Sequence, residues 1–236
     1  MRRMTVRPVV PWSVVSVLGL LLTATGCIPA LQNRVAGDAV PPPRLVAMPP
    51  QVIVYTLDAG DQRSFEAQPS SAVVGEAESA LRGITDPKGV RFAGREALVA
   101  CGISCLRFLR WGAIATLEIG LQREQIKNYR LHSVADWGFR ADLSPVRQSL
   151  GADYALFATL KQTRQTSGRK VLMALGGGYT IGKQIDAACV ADLHDGHMIW
   201  CTSLKDDSGD LQDPGRVPQV MRTLLGNLFQ PSAQAP

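Results

Sequence analysis

Two histidines and a carboxylate stand together in His194-Asp195-Gly196-His197, a grouping that suits metal binding or proton transfer. A metal would need further ligands, and the one remaining histidine, His132, is distant in sequence, so the motif reads first as a turn exposing polar residues. Gly177-x4-Gly182-Lys183 comes within one residue of a phosphate-binding loop. Gln184, however, stands where a hydroxyl would bind magnesium, and the residues after it read as a strand instead of the helix whose amino terminus would face phosphate. Nucleophilic hydrolysis finds no Gly-x-Ser-x-Gly elbow. Ser104 reads as a helix residue, Ser144 as a helix cap, and Asp136, Asp142 and Asp153 as loop or cap carboxylates. No cofactor and no metal centre is expected.

Cys27 carries the most specific chemistry. Arg2, Arg3 and Arg7 give a positive start, Val14 to Leu22 an apolar middle, and Thr25-Gly26 a small-residue cleavage site, the layout of a secretory signal. The apolar run is shorter than the ~20 residues of a spanning helix, and Pro8 and Pro11 interrupt its start. Ala24-Thr25-Gly26-Cys27 resembles the lipobox of bacterial lipoprotein precursors, with Ala24 where Leu is commoner. That resemblance implies cleavage before Cys27, acylation of its thiol and attachment to a lipid bilayer. Ile28 is not the Asp that retains such proteins at the inner membrane of enteric bacteria, so an outer-membrane location facing the periplasm is implied.

Cleavage leaves about 210 residues, enough for one sizeable domain. It removes three arginines and no acids, taking the net charge from +5 to about +2, too little to argue for nucleic acid. Cys101, Cys105, Cys189 and Cys201 then remain in a compartment that permits disulfides. Cys101 and Cys105, four apart, would be strained as a bridge within one helix, so bonding between them would call for a loop.

The organisation that follows is a signal over 1–26, a lipidated cysteine and proline-rich tether over 27–50, an α/β domain over 51–230 and a loose tail over 231–236. Pro41-Pro42-Pro43 and Pro49-Pro50 favour extended chain that builds no core. Val52 to Tyr55 is β-rich, and Ala72 to Leu81 reads as helical. Arg95 to Gln125 reads as one or two helices with apolar positions Leu98, Ile103, Leu106, Leu109, Ile114, Leu117 and Leu121. Ser144-Pro145 opens a helix that Gly151 stops, and a strand follows from Ala152. Val171 to Gly178 is apolar and glycine-rich, and Gly176 to Gly182 with this preceding apolar run reads as core or a buried connection sooner than as a loop touching membrane or partner. Gln184 to Leu193 and His197 to Leu204 form a hairpin around Asp195-Gly196, and Val217 to Phe229 closes the domain as an amphipathic helix.

Gly151-Ala152-Asp153-Tyr154-Ala155-Leu156-Phe157-Ala158, followed by Ala191-Asp192-Leu193-His194-Asp195-Gly196-His197-Met198-Ile199-Trp200, resembles a signature of periplasmic lipoproteins. The relatives are the curli-secretion lipoprotein, the penicillin-binding-protein activator lipoproteins and the amino-terminal domain of TolB. Asp195 replaces the Thr usual there. The resemblance covers roughly residues 145 to 230 and implies a mixed β-sheet flanked by helices in a single domain. It further implies a non-catalytic envelope accessory or assembly factor working through protein partners, with a homo-oligomer as a further partner state. A periplasmic enzyme acting on cell-wall material and a subunit of a secretion pore are the alternatives.

The hairpin leaves Cys189 and Cys201 open. A three-residue loop, His194-Asp195-Gly196, sets the two cysteines opposite each other, where they could form a disulfide; a two-residue loop, Asp195-Gly196, puts them on opposite faces.

Overall fold

A computed structural model of the chain describes residues 44–60, 62–125, 137–175, 183–206 and 209–229. Cys27 and the rest of 1–43, His132, Asp136, the Gly176–Gly182 segment and the tail lie outside the described residues.

One long strand organises the sheet. β5 (Tyr154–Gln165) alternates Tyr154, Leu156, Ala158 and Leu160 toward one core and Ala155 and Phe157 toward the other, so both of its faces are buried. On one side it pairs antiparallel with β6 (Gln184–Asp192), which in turn pairs antiparallel with β7 (Met198–Asp206). On its other side it pairs parallel with β1 (Leu45–Ala47) and then β2 (Gln51–Leu57). β4 (Arg91–Phe92) lies parallel outside β1, and β3 (Arg63–Phe65) antiparallel outside β2. The sheet is mixed, as the resemblance implied.

The boundary at residue 50 is corrected by this pairing. Ala47 opposes Leu156 and Gln51 opposes Thr159, so four residues advance against three and the single line of chain bulges at Pro49-Pro50. Proline has no N–H to give a ladder, which is why it is found at bulges and edges. The same pair that suggested a tether is a bulge inside the sheet. Val46, Ala47 and Met48 are fully buried, and the domain therefore begins by residue 44.

Two helical layers cover the sheet. α1 (Ala67–Thr85) and the amphipathic α6 (Arg216–Leu225) pack on one face through Val73, Ala77 and Leu81 and through Val217, Val220, Met221, Leu224 and Leu225. On the other lie α2 (Arg95–Cys101), α3 (Ile103–Gln125) and α4 (Ser144–Leu150). Gly102, at φ 85°, ends α2 before α3 begins, and Cys101 and Cys105 are joined by a disulfide across that break. Ser144 is the first residue of α4 and not its cap: its N–H donates to Asp142 Oδ1 at 2.9 Å, an arrangement that holds the Asp142 carboxyl below its usual range. Gly151, at φ 54°, closes the helix as the sequence predicts.

Helix α3 lies close on the sheet because two of its sheet-facing positions are glycine. A Cβ on Gly112 would overlap the Phe157 ring, and one on Gly120 would fall 2.7 Å from the Ala187 Cβ. α5 (Ser167–Leu175) bridges the far end of β5 toward β6. Thr166 Oγ1 accepts from the Arg169 N–H at 3.3 Å at its start, and Arg169 Nη1 donates to the Asp58 carbonyl at 3.0 Å.

Candidate functional site

The hairpin motif is built as part of the fold's frame. Asp192 N–H donates to the His197 carbonyl and Gly196 N–H to the Asp192 carbonyl, both at 2.9 Å, enclosing a four-residue loop, Leu193 to Gly196, with Gly196 at φ 79°. Neither loop length considered from sequence is the one formed. Ala191 opposes Met198 while Val190 opposes Trp200, so Ile199 is an extra residue in β7, and this bulge brings Cys189 opposite Cys201. The two cysteines are joined by a disulfide on the buried face toward α3.

The histidines do not converge. His194 Nε2 lies 3.7 Å from Asp153 Oδ1, and the His197 ring lies against Gly138, whose backbone bridges to His197. Among the described residues no group of three His, Cys, Asp or Glu is placed to hold a metal ion. Lys183-Gln184 leads directly into strand β6, not a helix.

Asp153 gathers charge at the point where the chain enters the domain. The Arg44 N–H and Nε donate to its Oδ2 at 3.2 and 3.3 Å, and Arg147 Nη2 donates to Oδ1 at 3.1 Å. Partial burial pushes the Asp153 carboxyl up, but the Arg44 and Arg147 contacts outweigh it and bring it down to about 2. The motif residue thus ties the domain's first described residue to α4 and the hairpin loop.

Removing both Cys189 and Cys201, as paired Ala substitutions, is expected to cost about 3 kcal/mol of stability, from the unfolded chain's regained freedom over a loop of this length. Urea unfolding of the double variant against the oxidised protein measures it; an unchanged midpoint would show that the bridge is dispensable.

Apolar side chains of α3 also lie on the surface, where sequence reasoning had not looked for a site. α3 is apolar on two sides. Cys105, Phe108, Ala115 and Ile119 are buried toward the sheet, whereas Ile103 is 63% and Ile114 52% exposed, with Leu106 also exposed. These last three are among the apolar helix positions read from the sequence; periodicity places them on a helix but does not say which stripe the sheet covers. Beside that stripe the sheet is only partly covered, with Gln51, Ile53, Tyr55, Lys161 and Thr163 half-buried. Gln51, Ile53 and Tyr55 share a face with Thr159, Lys161 and Thr163, as the parallel register requires, and Tyr55 meets the exposed Phe65 of β3 edge-to-face at 6.1 Å. Between helix and strand lies a groove of about 240 Å³, lined by Ile53, Leu106, Arg110, Ile114, Leu117 and Thr159 among others. Thr159 Oγ1 donates to the Ala113 carbonyl at 3.3 Å and forms part of its floor.

Lys161, beside Ile53, is half-buried; burial lowers its ammonium's pKa, as does the neighbouring Arg63, against the upward pull of Glu118. The groove is apolar with a cationic rim. A second exposed apolar surface lies on α5, where Val171, Leu172 and Leu175 face solvent, Leu175 to 83%. The described part of the Val171–Gly178 run is therefore an exposed helix, not a buried connection.

No family model matches the chain, and no curated protein matches it. Among solved structures it is similar to lipoprotein GNA1162 from Neisseria meningitidis, at 12% identity and a TM-score of 0.34 over 81% of this chain and 99% of that one. It is also similar to the LpoB C-terminal domain from Salmonella enterica, at 10% identity and a TM-score of 0.26 over 76% of this chain and 94% of that one. At such TM-scores neither likeness bears on the chemistry of the site.

Proposed function

We propose that this chain is an envelope lipoprotein, exported through its signal over 1–26, anchored by lipid on Cys27 and acting as a non-catalytic accessory factor that binds another envelope protein. The observation that carries the reading is the two-sided α3: a helix apolar on both sides buries one side within its own domain and leaves the other for a partner. The lipobox resemblance at Ala24–Cys27 supports the anchor, and Ile28 supports the outer membrane, facing the periplasm, as the destination.

Cys27→Ser is expected to move the protein from the membrane fraction to the soluble periplasmic fraction, because without acylation nothing in the short signal holds it to the bilayer. Fractionation with mass spectrometry of the amino-terminal peptide is the measurement, and retention of the variant in membranes would end the lipoprotein reading. Crosslinking in intact envelopes tests the rest: failure to recover any protein partner would count against an accessory role.

A further inference from the structure

The groove between α3 and β2 has a shape and a charge that narrow what fills it. One wall is the exposed α3 stripe, in which Leu106, Arg110, Ile114 and Leu117 recur at helical spacing. The opposite wall is the partly covered sheet face at the half-buried Ile53. The cations here are Arg110 on the wall, Lys161 next to Ile53 in register, and Arg63, close enough to act on Lys161; the acid acting on the same lysine is Glu118. The balance is positive.

Three occupants compete for such a surface. A bilayer is flat, and this surface is concave, so a membrane would meet its rims and leave the floor at Thr159 empty. A second copy would have to offer its own exposed apolar helix, α5, whose sequence Ser-Gly-Arg-Lys-Val-Leu-Met-Ala-Leu carries Arg169 and Lys170 and no acid. Like charges would then face each other across the contact. A segment from another protein has neither difficulty if its own charge is negative.

We propose that the α3–β2 groove receives an acidic amphipathic segment of a partner protein, its apolar side chains lying on Ile53, Leu106 and Ile114 and its carboxylates meeting Arg110, Lys161 and Arg63. This rests on the accessory reading above and adds to it the place and chemistry of the contact. Apolar anchors in the groove supply affinity, and the cationic rim supplies selection and speed of encounter.

The probe is a synthetic amphipathic helical peptide with Leu on one face and Glu elsewhere, set against the same peptide with Lys for Glu. Binding to the full-length protein purified from membranes is read by fluorescence anisotropy at low and high salt. The Glu peptide is expected to bind about tenfold or more tighter than the Lys peptide, and to lose that margin in high salt. Ile114→Glu and Arg110→Glu, both at exposed positions of α3, are each expected to weaken it by about tenfold, and Arg110→Glu to narrow the gap between the peptides.

Equal binding of the two peptides, or binding indifferent to both substitutions, overturns the proposal. So does capture by phosphatidylglycerol vesicles, or self-association in sedimentation, that these same substitutions abolish. A photoreactive residue at position 172, on α5, separates the levels of the argument. A protein adduct there, with no selective peptide binding in the groove, removes the groove proposal and leaves the accessory reading standing.

Discussion

Asp186→Asn is expected to become more stable relative to the wild type by about 4 kcal/mol between about pH 4 and about pH 8, because only the wild-type side chain titrates. Asp186 sits inside β6, every residue of which is buried. Burial pushes its carboxyl up to about 7, against hydrogen bonds from Gln184 and the Lys161 backbone and the charge of Arg216, which pull it down. Below the unfolded value of 3.8 both states hold the proton. Between that value and about 7 the unfolded chain ionises while the folded one keeps its proton, so stability falls by about 1.4 kcal/mol per pH unit and is flat above. Asp186 Oδ1 and Gln184 Oε1 are buried acceptors with no partner in the described structure, and a proton retained on the carboxyl turns one acceptor into a donor. Urea denaturation of both proteins across this pH range gives the comparison, and parallel curves would show that Asp186 is ionised in the fold. Asp153 does not confuse the result: its carboxyl, brought down to about 2, contributes stability above 3.8 that is lost only as the pH falls through about 2.

The second large effect runs against helix propensity. Gly112→Ala, in the middle of α3, should destabilise the protein by about 2–3 kcal/mol, where the same change in an uncrowded helix stabilises by up to about 1 kcal/mol. The added methyl would occupy the space of the Phe157 ring, which is itself held by Phe108 at 5.2 Å. Relief requires α3 to lift from β5, and that would also open the groove it lines. Gly75→Ala, in α1 with nothing within 4 Å of the new methyl, is the control and is expected to stabilise slightly. A Gly112→Ala protein as stable as the control would mean that the aromatic cluster yields at no cost.

Much of the frame is readable in the residues themselves. Asp195-Gly196 marks the hairpin, Ser144-Pro145 and Gly151 bound α4, and the period of Val217 to Leu225 gives the closing helix its buried face. Those signals are local: each is set by the conformational limits of a few adjacent residues. What escaped is long-range. Pro49-Pro50 reads as extended chain whether or not β5 lies alongside, and nothing near Ile199 announces the bulge that puts Cys189 opposite Cys201. The groove escaped for the same reason. Leu106 and Ile114 are as apolar as Leu98, and only the arrangement of the sheet decides which of them it covers.

The bulged β1–β2 line has a mechanical consequence. A pull transmitted through the residues before Arg44 acts along β1, which is held between β5 and β4, and runs on into β2 along the same edge of β5. Loaded lengthwise in this way, the ladder bonds of β1 share the force and must slide together instead of parting one after another, with the Arg44–Asp153 ion pair as a first clasp. Forced unfolding is governed by the height of that single barrier, so a domain pulled lengthwise through β1 resists tension where a strand peeled from its end would unzip.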